Sequence, residues 1–156
     1  MSQQPRLPPR WFMRCFWRGH RFFYRVTGGR LGLWRATPNR WGAMCVHAIG
    51  RRSGVERRVM VGYFVDGDDL VVLAMNGWSE GEPQWWLNLQ AHPDVQVGVA
   101  GGSRQVTARA AAGEERDRLW ARWAELDHDL DGYAALRRDR GGGVRTTRLT
   151  AASGSF

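Results

Sequence analysis

A turn bracketed by glycines reads Gly50-Arg51-Arg52-Ser53-Gly54-Val55-Glu56-Arg57-Arg58 and carries four arginines. Strand-forming residues flank it, at 43–49 before the turn and at 59–65 after it. Apolar runs joined by a glycine-containing turn are typical of a β-hairpin. Glycines permit positive φ and close backbone approach, so backbone N–H and guanidinium groups converge on one small volume. The stretch predicts a hairpin. Taken alone it favours a solvated basic turn, and the alternative is a turn that binds a phosphate or carboxylate.

The composition is that of one globular domain. With 156 residues, 43% apolar content and nine tryptophans, the chain can bury a core. No apolar run approaches the roughly 20 residues that cross a bilayer. The first residues also lack the pattern of a secretory signal, which favours a cytoplasmic location. The two cysteines have neither disulfide nor metal-ligand spacing, so no metal site is predicted.

The positive charge is concentrated in the first part of the chain. Residues 1–58 hold 13 of the 23 basic residues, all of them arginines, and one of the 15 acidic residues. The net charge of the whole chain is +8. Such a segment implies an acidic partner: a nucleic acid, an anionic membrane surface or a polyanionic small molecule. No RRM, KH, zinc-finger or helix-turn-helix signature is present, so no nucleic-acid partner is expected.

Residues 10–26 predict an amphipathic helix, because arginines recur there every three or four positions with aromatic residues between them. The favoured interpretation is a helix that packs its aromatics on the sheet. The alternative is contact with an anionic membrane surface, which would make the protein peripheral at the inner face of the membrane.

Downstream signals predict a mainly β domain of the α+β class. Asp66-Gly67-Asp68 predicts a tight hairpin turn, Pro83 begins a short helix to about residue 90, and a second helix starts at Glu114. Further strands are predicted at 70–75, 95–99, 105–110 and 144–149. We therefore expect an antiparallel barrel or sheet over 10–150 with helices packed on it, a flexible tail at 1–9 and a disordered end at 151–156.

Several motifs, taken in order, resemble the deazaflavin (F420)-dependent nitroreductase and quinone reductase family. They are the GRRSG turn, the Asp-Gly hairpin, Leu73-Ala74-Met75-Asn76-Gly77, Pro83-Gln84-Trp85-Trp86-Leu87-Asn88-Leu89 and His92-Pro93-Asp94-Val95-Gln96-Val97. The resemblance implies a split β-barrel that binds reduced coenzyme F420 and passes hydride to a quinone, nitroaromatic or other electron-poor organic acceptor. FMN on the same type of barrel is the alternative cofactor, and a non-catalytic module that binds a membrane or nucleic acid is the alternative function. The coenzyme carries a phosphodiester and an oligoglutamate tail, which require a cationic mouth beside a flat apolar slot.

The resemblance also implies roles for individual residues. The implied cofactor-binding residues are Arg51, Arg52, Ser53, Arg57, Arg58, Val59, Met60, Val61, Leu73, Ala74, Met75, Asn76, Gln84, Trp85 and Asn88. Tyr133 falls near a family tyrosine on the acceptor side, where its hydroxyl would donate a hydrogen bond to the acceptor oxygen.

Several positions depart from the family's residues: Glu56, Met60, Met75-Asn76, Trp78 and Gly143-Val144. Glu56 places a carboxylate beside the anion site, where it would either weaken binding of the acidic tail or pair with a neighbouring arginine such as Arg52. Trp78 would narrow or reshape the acceptor pocket. These departures would change the affinity for the coenzyme and the choice of acceptor. The sequence does not predict the oligomeric state.

Overall fold

The computed structural model describes residues 32–75, 81–130 and 145–151, together with 11, 15, 18, 19, 22, 26, 132, 134 and 135. Its elements are β1 (Gly42–Ile49), β2 (Glu56–Asp66), β3 (Asp69–Ala74), α1 (Gln84–Ala91), β4 (Asp94–Val99), β5 (Gly102–Ala110), α2 (Gly113–Leu126) and β6 (Arg145–Ala151). The predicted mainly β class with packed helices is confirmed. Asn76, Trp78 and Tyr133 lie outside the described residues, as do 1–9, 152–156 and most of the helix predicted at 10–26.

The strands form a closed antiparallel barrel in the order β1-β2-β3-β6-β5-β4. Two tight turns set the register of its hairpins. Asp66 pairs with Asp69 across a two-residue turn in which Gly67 has a φ of 64°. Gly101, with a φ of 97°, occupies the corresponding turn between β4 and β5. Only glycine adopts such angles at little cost, which explains why the glycine signals located both turns.

The hydrophobic core has two parts, one on each side of β3. Leu70, Val72 and Ala74 point into the barrel, whereas Val71 and Leu73 point outward beneath α2. The interior cluster also contains Met44, Val46, Ala48, Tyr63, Trp86, Leu89, Val95, Val97, Val106, Ala108 and Leu149, and the outer cluster contains Phe64, Leu119, Trp123 and Leu130. Because β3 is covered on both faces, its sequence is continuously apolar.

The barrel separates between β2 and β3 at one end. β2 pairs with β1 along Glu56 to Tyr63, but its ladder with β3 begins only at Tyr63 and Val72. Beyond that point β3 pairs with β6 as far as Ala74. Over Glu56–Gly62, β2 therefore has a strand neighbour on one side only within the described chain. This open edge presents backbone donors and acceptors to whatever lies beside it.

Three of the boundaries differ from the sequence-based expectation. β2 begins at Glu56, so Arg57 and Arg58 belong to the strand rather than to the turn. Pro83 is the residue that caps α1, with a ψ of 140°, and Gln84 is the first helical residue. β6 extends to Ala151, the first residue of the predicted disordered end. In the part of the chain that the structure describes, no helix has both the length and the hydrophobicity to span a bilayer.

Candidate functional site

The turn between β1 and β2 is held by its own backbone. The Gly50 N–H donates to the Val55 carbonyl at 2.9 Å, and the Gly54 N–H donates to the Gly50 carbonyl at 2.8 Å. Gly54 has a φ of 65°, and a Cβ on Gly50 would lie 2.6 Å from the Ser53 Oγ. The turn therefore requires glycine at position 54, whereas a side chain at position 50 would displace the Ser53 hydroxyl. The Ser53 hydroxyl accepts a hydrogen bond from the Val55 N–H at 3.3 Å, so it also stabilises the turn.

Helix α1 contacts this turn through two side-chain amides. Asn88 Oδ1 accepts hydrogen bonds from the backbone N–H of Arg51 at 3.1 Å and from its Nη1 at 3.2 Å. The same Nη1 donates to Gln84 Oε1 at 2.9 Å. Asn88 is buried, with 7% of its surface exposed, whereas Gln84 is exposed. These bonds fix both the backbone and the side chain of Arg51 relative to α1.

The predicted cofactor residues of β2 lie on two faces of the strand. Arg57, Val59 and Val61 pair with β1 residues of the interior cluster, and the two valines are partly buried against that cluster. Arg58 and Met60 point the opposite way, and Met60 packs outside the barrel in a small cluster with Cys45 and Leu33. Only the first face lines the end of the barrel, so Met60 can serve a ligand there through its backbone.

Glu56 pairs with Arg58. Its Oε1 lies 2.9 Å from the Arg58 Nε and 3.3 Å from the His47 Nδ1. The hydrogen bond from Arg58 lowers the pKa of Glu56, and the nearby His47 adds to the effect. The expectation that Glu56 pairs with Arg52 is wrong. Glu56 lies in a strand, where side chains two residues apart share a face, so Arg58 is its neighbour. The side chains of Arg52 and Arg57 make no hydrogen bond or ion pair with the described residues.

The predicted residues of β3 and α1 also divide between the two core clusters. Leu73 and Met75 pack with the outer cluster, whereas Ala74 belongs to the interior cluster. Trp86 is a core residue, exposed by 2%, and its indole Nε1 has no hydrogen-bond partner among the described residues. Trp85 is only partly buried against the interior cluster. Trp85 is thus the tryptophan of this pair that faces the end of the barrel.

These features combine charge, an apolar surface and an open strand edge at one end of the barrel. Arg51 and Arg52 lie in the turn, and Arg57 follows on the interior face of β2. Val59, Val61 and Trp85 provide partly exposed apolar surface next to them. The described residues contain no group of three or more potential metal ligands. Such a site suits a flat apolar ring that carries an anionic chain.

The sequence was compared with known protein families. Residues 16–145 match the family described as F420H(2)-dependent quinone reductase. The chain belongs to this family. Because the match includes the turn, β2, β3 and α1, every element of the site lies within the shared region.

Individual relatives agree with the family match. The F420H(2)-dependent quinone reductase Rv1261c of Mycobacterium tuberculosis (strain ATCC 25618 / H37Rv) is 32% identical over 103 residues, which cover 65% of this chain and 68% of that protein. A solved F420-H2 dependent reductase, FDR-A, superposes with a TM-score of 0.60 at 23% identity, over 74% of this chain and 98% of its own. A structure described as a domain-swapped dimer superposes with a TM-score of 0.62 at 20% identity, over 91% and 99% of the two chains. This chain is similar in fold to both of these structures.

The sequence did not reveal how Gln84 and Asn88 are used. The resemblance predicts that they contact the cofactor, and the structure adds that both contact Arg51. Their spacing of four residues showed that the two amides share one side of the helix. The partner could not be found by spacing, because Arg51 precedes Asn88 by 37 residues.

Proposed function

We propose that this protein uses reduced coenzyme F420 to reduce a quinone, a nitroaromatic compound or another electron-poor organic acceptor. The observation that carries the proposal is the cationic turn beside the apolar end of the barrel, where β2 has no neighbouring strand on one side among the described residues. The family match and the name of the M. tuberculosis relative support the same chemistry. Neither FMN nor a non-catalytic role receives comparable support.

The residues present fit this coenzyme. Arg52 and Arg57 would meet the phosphodiester and the acidic tail, because their charges are not neutralised by described residues. The backbone of Val59 to Val61 would hold the edge of the ring, and Trp85 would cover part of its face. When bound, the reduced deazaflavin supplies a hydride, and the quinone takes this hydride and a proton from solvent to become the hydroquinone.

The protein's own contribution would be to orient the two planar molecules and to exclude water. Arg51 would stabilise negative charge at the mouth of the site, since α1 holds it in place. We also propose that the Tyr133 hydroxyl donates a hydrogen bond to the acceptor oxygen. Tyr133→Phe should lower kcat and leave coenzyme affinity unchanged; a normal kcat would exclude this role.

Coenzyme binding provides the direct test. In separate fluorescence titrations, oxidised F420 should bind and FMN should not. Arg51→Ala and Arg57→Ala should each weaken F420 binding roughly tenfold, because each removes a charge-assisted hydrogen bond. Arg116→Ala is the matched control, since it removes an exposed arginine that pairs with Asp117 on α2. Preference for FMN, or equal losses in all three variants, would contradict the proposal.

Peripheral attachment to an anionic membrane from the cytoplasmic side is a second element of the proposal. The described residues of the segment 10–26 include Trp11, Phe22 and Val26, each about two-thirds exposed, and an exposed Arg18. Exposed aromatic and basic side chains on one helix favour the membrane interface. Trp11→Ser with Phe22→Ser should abolish co-sedimentation with vesicles that contain phosphatidylglycerol, and it should leave F420 binding unchanged. Equal sedimentation of variant and wild type would refute the attachment.

The proposed division of the chain remains a tail at 1–9, a catalytic domain at 10–150 and a short end at 151–156. Deletion of residues 1–9 should leave the unfolding midpoint and F420 affinity unchanged. Loss of either would show that the tail is part of the domain. Light scattering of the purified protein would establish its oligomeric state, for which a domain swap is one candidate arrangement.

A further inference from the structure

Arg51 is held by the neutral side-chain amides of Gln84 and Asn88 on α1. Among the other described arginines of the barrel, Arg104 also has a neutral acceptor, but that acceptor is a backbone carbonyl, that of Asp68. Elsewhere in the described chain, arginine side chains commonly contact carboxylates. Examples are Arg58 with Glu56, Arg109 with Glu115, Arg118 with Asp66, and Arg148 with Asp66, Asp69 and Glu115.

A neutral acceptor orients a guanidinium group without cancelling its charge. Both groups that face Asn88 from Arg51 are donors, so the amide must present its oxygen to them. A carboxylate in the same place would accept the same bonds and would also form an ion pair. Asn88 therefore holds Arg51 in place and leaves its full positive charge for a ligand.

The bonds also decide which edge of the guanidinium remains available. Both amides use Nη1 of Arg51, and its Nε and Nη2 make no hydrogen bond within the described residues. The edge formed by Nε and Nη2 is one that binds phosphate or carboxylate with two parallel hydrogen bonds. Because Arg51 is half-buried and its backbone N–H is also fixed, little conformational freedom would be lost on binding.

We infer that Asn88 and Gln84 are positioning residues that present Arg51 as an uncompensated charge to the phosphate group of the ligand. This inference rests on the proposed function, and it assigns the two amides to the arginine rather than to the cofactor ring. It explains why an asparagine is buried at the base of the turn, where a buried polar group is costly unless it has partners.

The deciding variant is Asn88→Asp, which keeps the shape and the acceptor oxygen but adds a negative charge. We expect F420 to bind roughly tenfold more weakly, because the new carboxylate would compete with the ligand for Arg51. A deazaflavin that lacks the phosphodiester and glutamate tail should bind as it does to the wild type. Gln90→Glu is the control, since Gln90 is exposed on the same helix and the change adds the same charge. It should have a much smaller effect.

A double-mutant cycle separates positioning from a general structural effect. In the Arg51→Ala background, Asn88→Asp should cause no further loss of F420 affinity. Additive losses, an unchanged affinity in Asn88→Asp, or an equal loss for the tail-free deazaflavin would overturn the inference. If Asn88→Asp does not fold, Gln84→Glu makes the same test at an exposed position.

The inference and the proposed function can fail separately. A wild-type protein that binds F420 normally, with variants that do not differ, would refute the inference alone. A wild-type protein that binds neither deazaflavin would refute the proposed function. In that case binding of inorganic pyrophosphate to the wild type and to Asn88→Asp would test the inference. Weaker pyrophosphate binding by Asn88→Asp would support the positioning role, and equal binding would refute it.

Discussion

Replacement of Arg148 by methionine should destabilise the barrel by about 3 kcal/mol. Arg148 lies on β6, is only 14% exposed, and is surrounded by three carboxylates. It donates hydrogen bonds to Glu115, at 2.7 Å, and to Asp66, while its Nε makes a charge contact with Asp69 at 2.8 Å. Removal of one partner from a buried ionic network costs about 3–5 kcal/mol, because the remaining charges lose their compensation. The low end applies here because the carboxylates keep roughly a fifth to a quarter of their surface exposed.

Urea and thermal unfolding would measure this loss. For a chain of this length, about 3 kcal/mol corresponds to a fall of roughly 6–12 °C in the unfolding midpoint. Arg118→Met is the matched control, because Arg118 also pairs with Asp66 but is 57% exposed. The control should lose much less stability. Equal losses in the two variants, or a loss below about 1 kcal/mol for Arg148→Met, would show that the cluster does not act as a buried network.

Three further predictions follow from the site and the core. Glu56→Gln removes the carboxylate that pairs with Arg58 on the face of β2 that points away from the end of the barrel, so F420 affinity in a fluorescence titration should change by less than about twofold; a larger change would contradict the assignment of the two faces. The hydrogen bond from Arg109, aided by Arg148, lowers the pKa of Glu115 from 4.5 to about 2. The stability that this shift contributes is fully present above pH 4.5 and is lost as the pH falls toward 2. Glu115→Gln should therefore make the urea midpoint less dependent on pH between 4.5 and 2. An unchanged pH dependence of the midpoint would contradict this prediction. Leu119→Ala should cost about 2–5 kcal/mol in urea unfolding, and the folded protein should still bind F420, because Leu119 lies on α2 and packs in the cluster outside the barrel; a loss of binding would contradict the separation of the two clusters.

The sequence predicted the strands in their succession along the chain, though not their order in the barrel, because glycines and apolar runs are local signals. The turn at Gly67 is an example, since its positive φ requires a residue that the sequence shows directly. The start of β2 was missed because Glu56, Arg57 and Arg58 resemble a polar turn. Their extended conformation comes from pairing with Ile49, Ala48 and His47 on β1. This tertiary contact overrides local propensity.

The candidate site was predicted as a set of residues but not as a geometry. The family resemblance identified the turn, and the structure added that Arg57 and Arg58 point to opposite sides of β2. Alternation along a strand gives this result as soon as the strand boundary is known. The contact between Arg51 and Asn88 could not be deduced in the same way, because it joins separate elements.

The position of β6 has a consequence for the speed of folding. This strand lies between β3 and β5, and its residues pair with segments that precede it by roughly 40 and 75 positions. Contacts between distant segments form slowly, because the entropy of loop closure is lost before they stabilise the structure. Until β6 is in place, β3 and β5 each expose a strand edge that can pair with another chain. We therefore expect refolding on the scale of milliseconds to seconds, with aggregation that increases at high protein concentration.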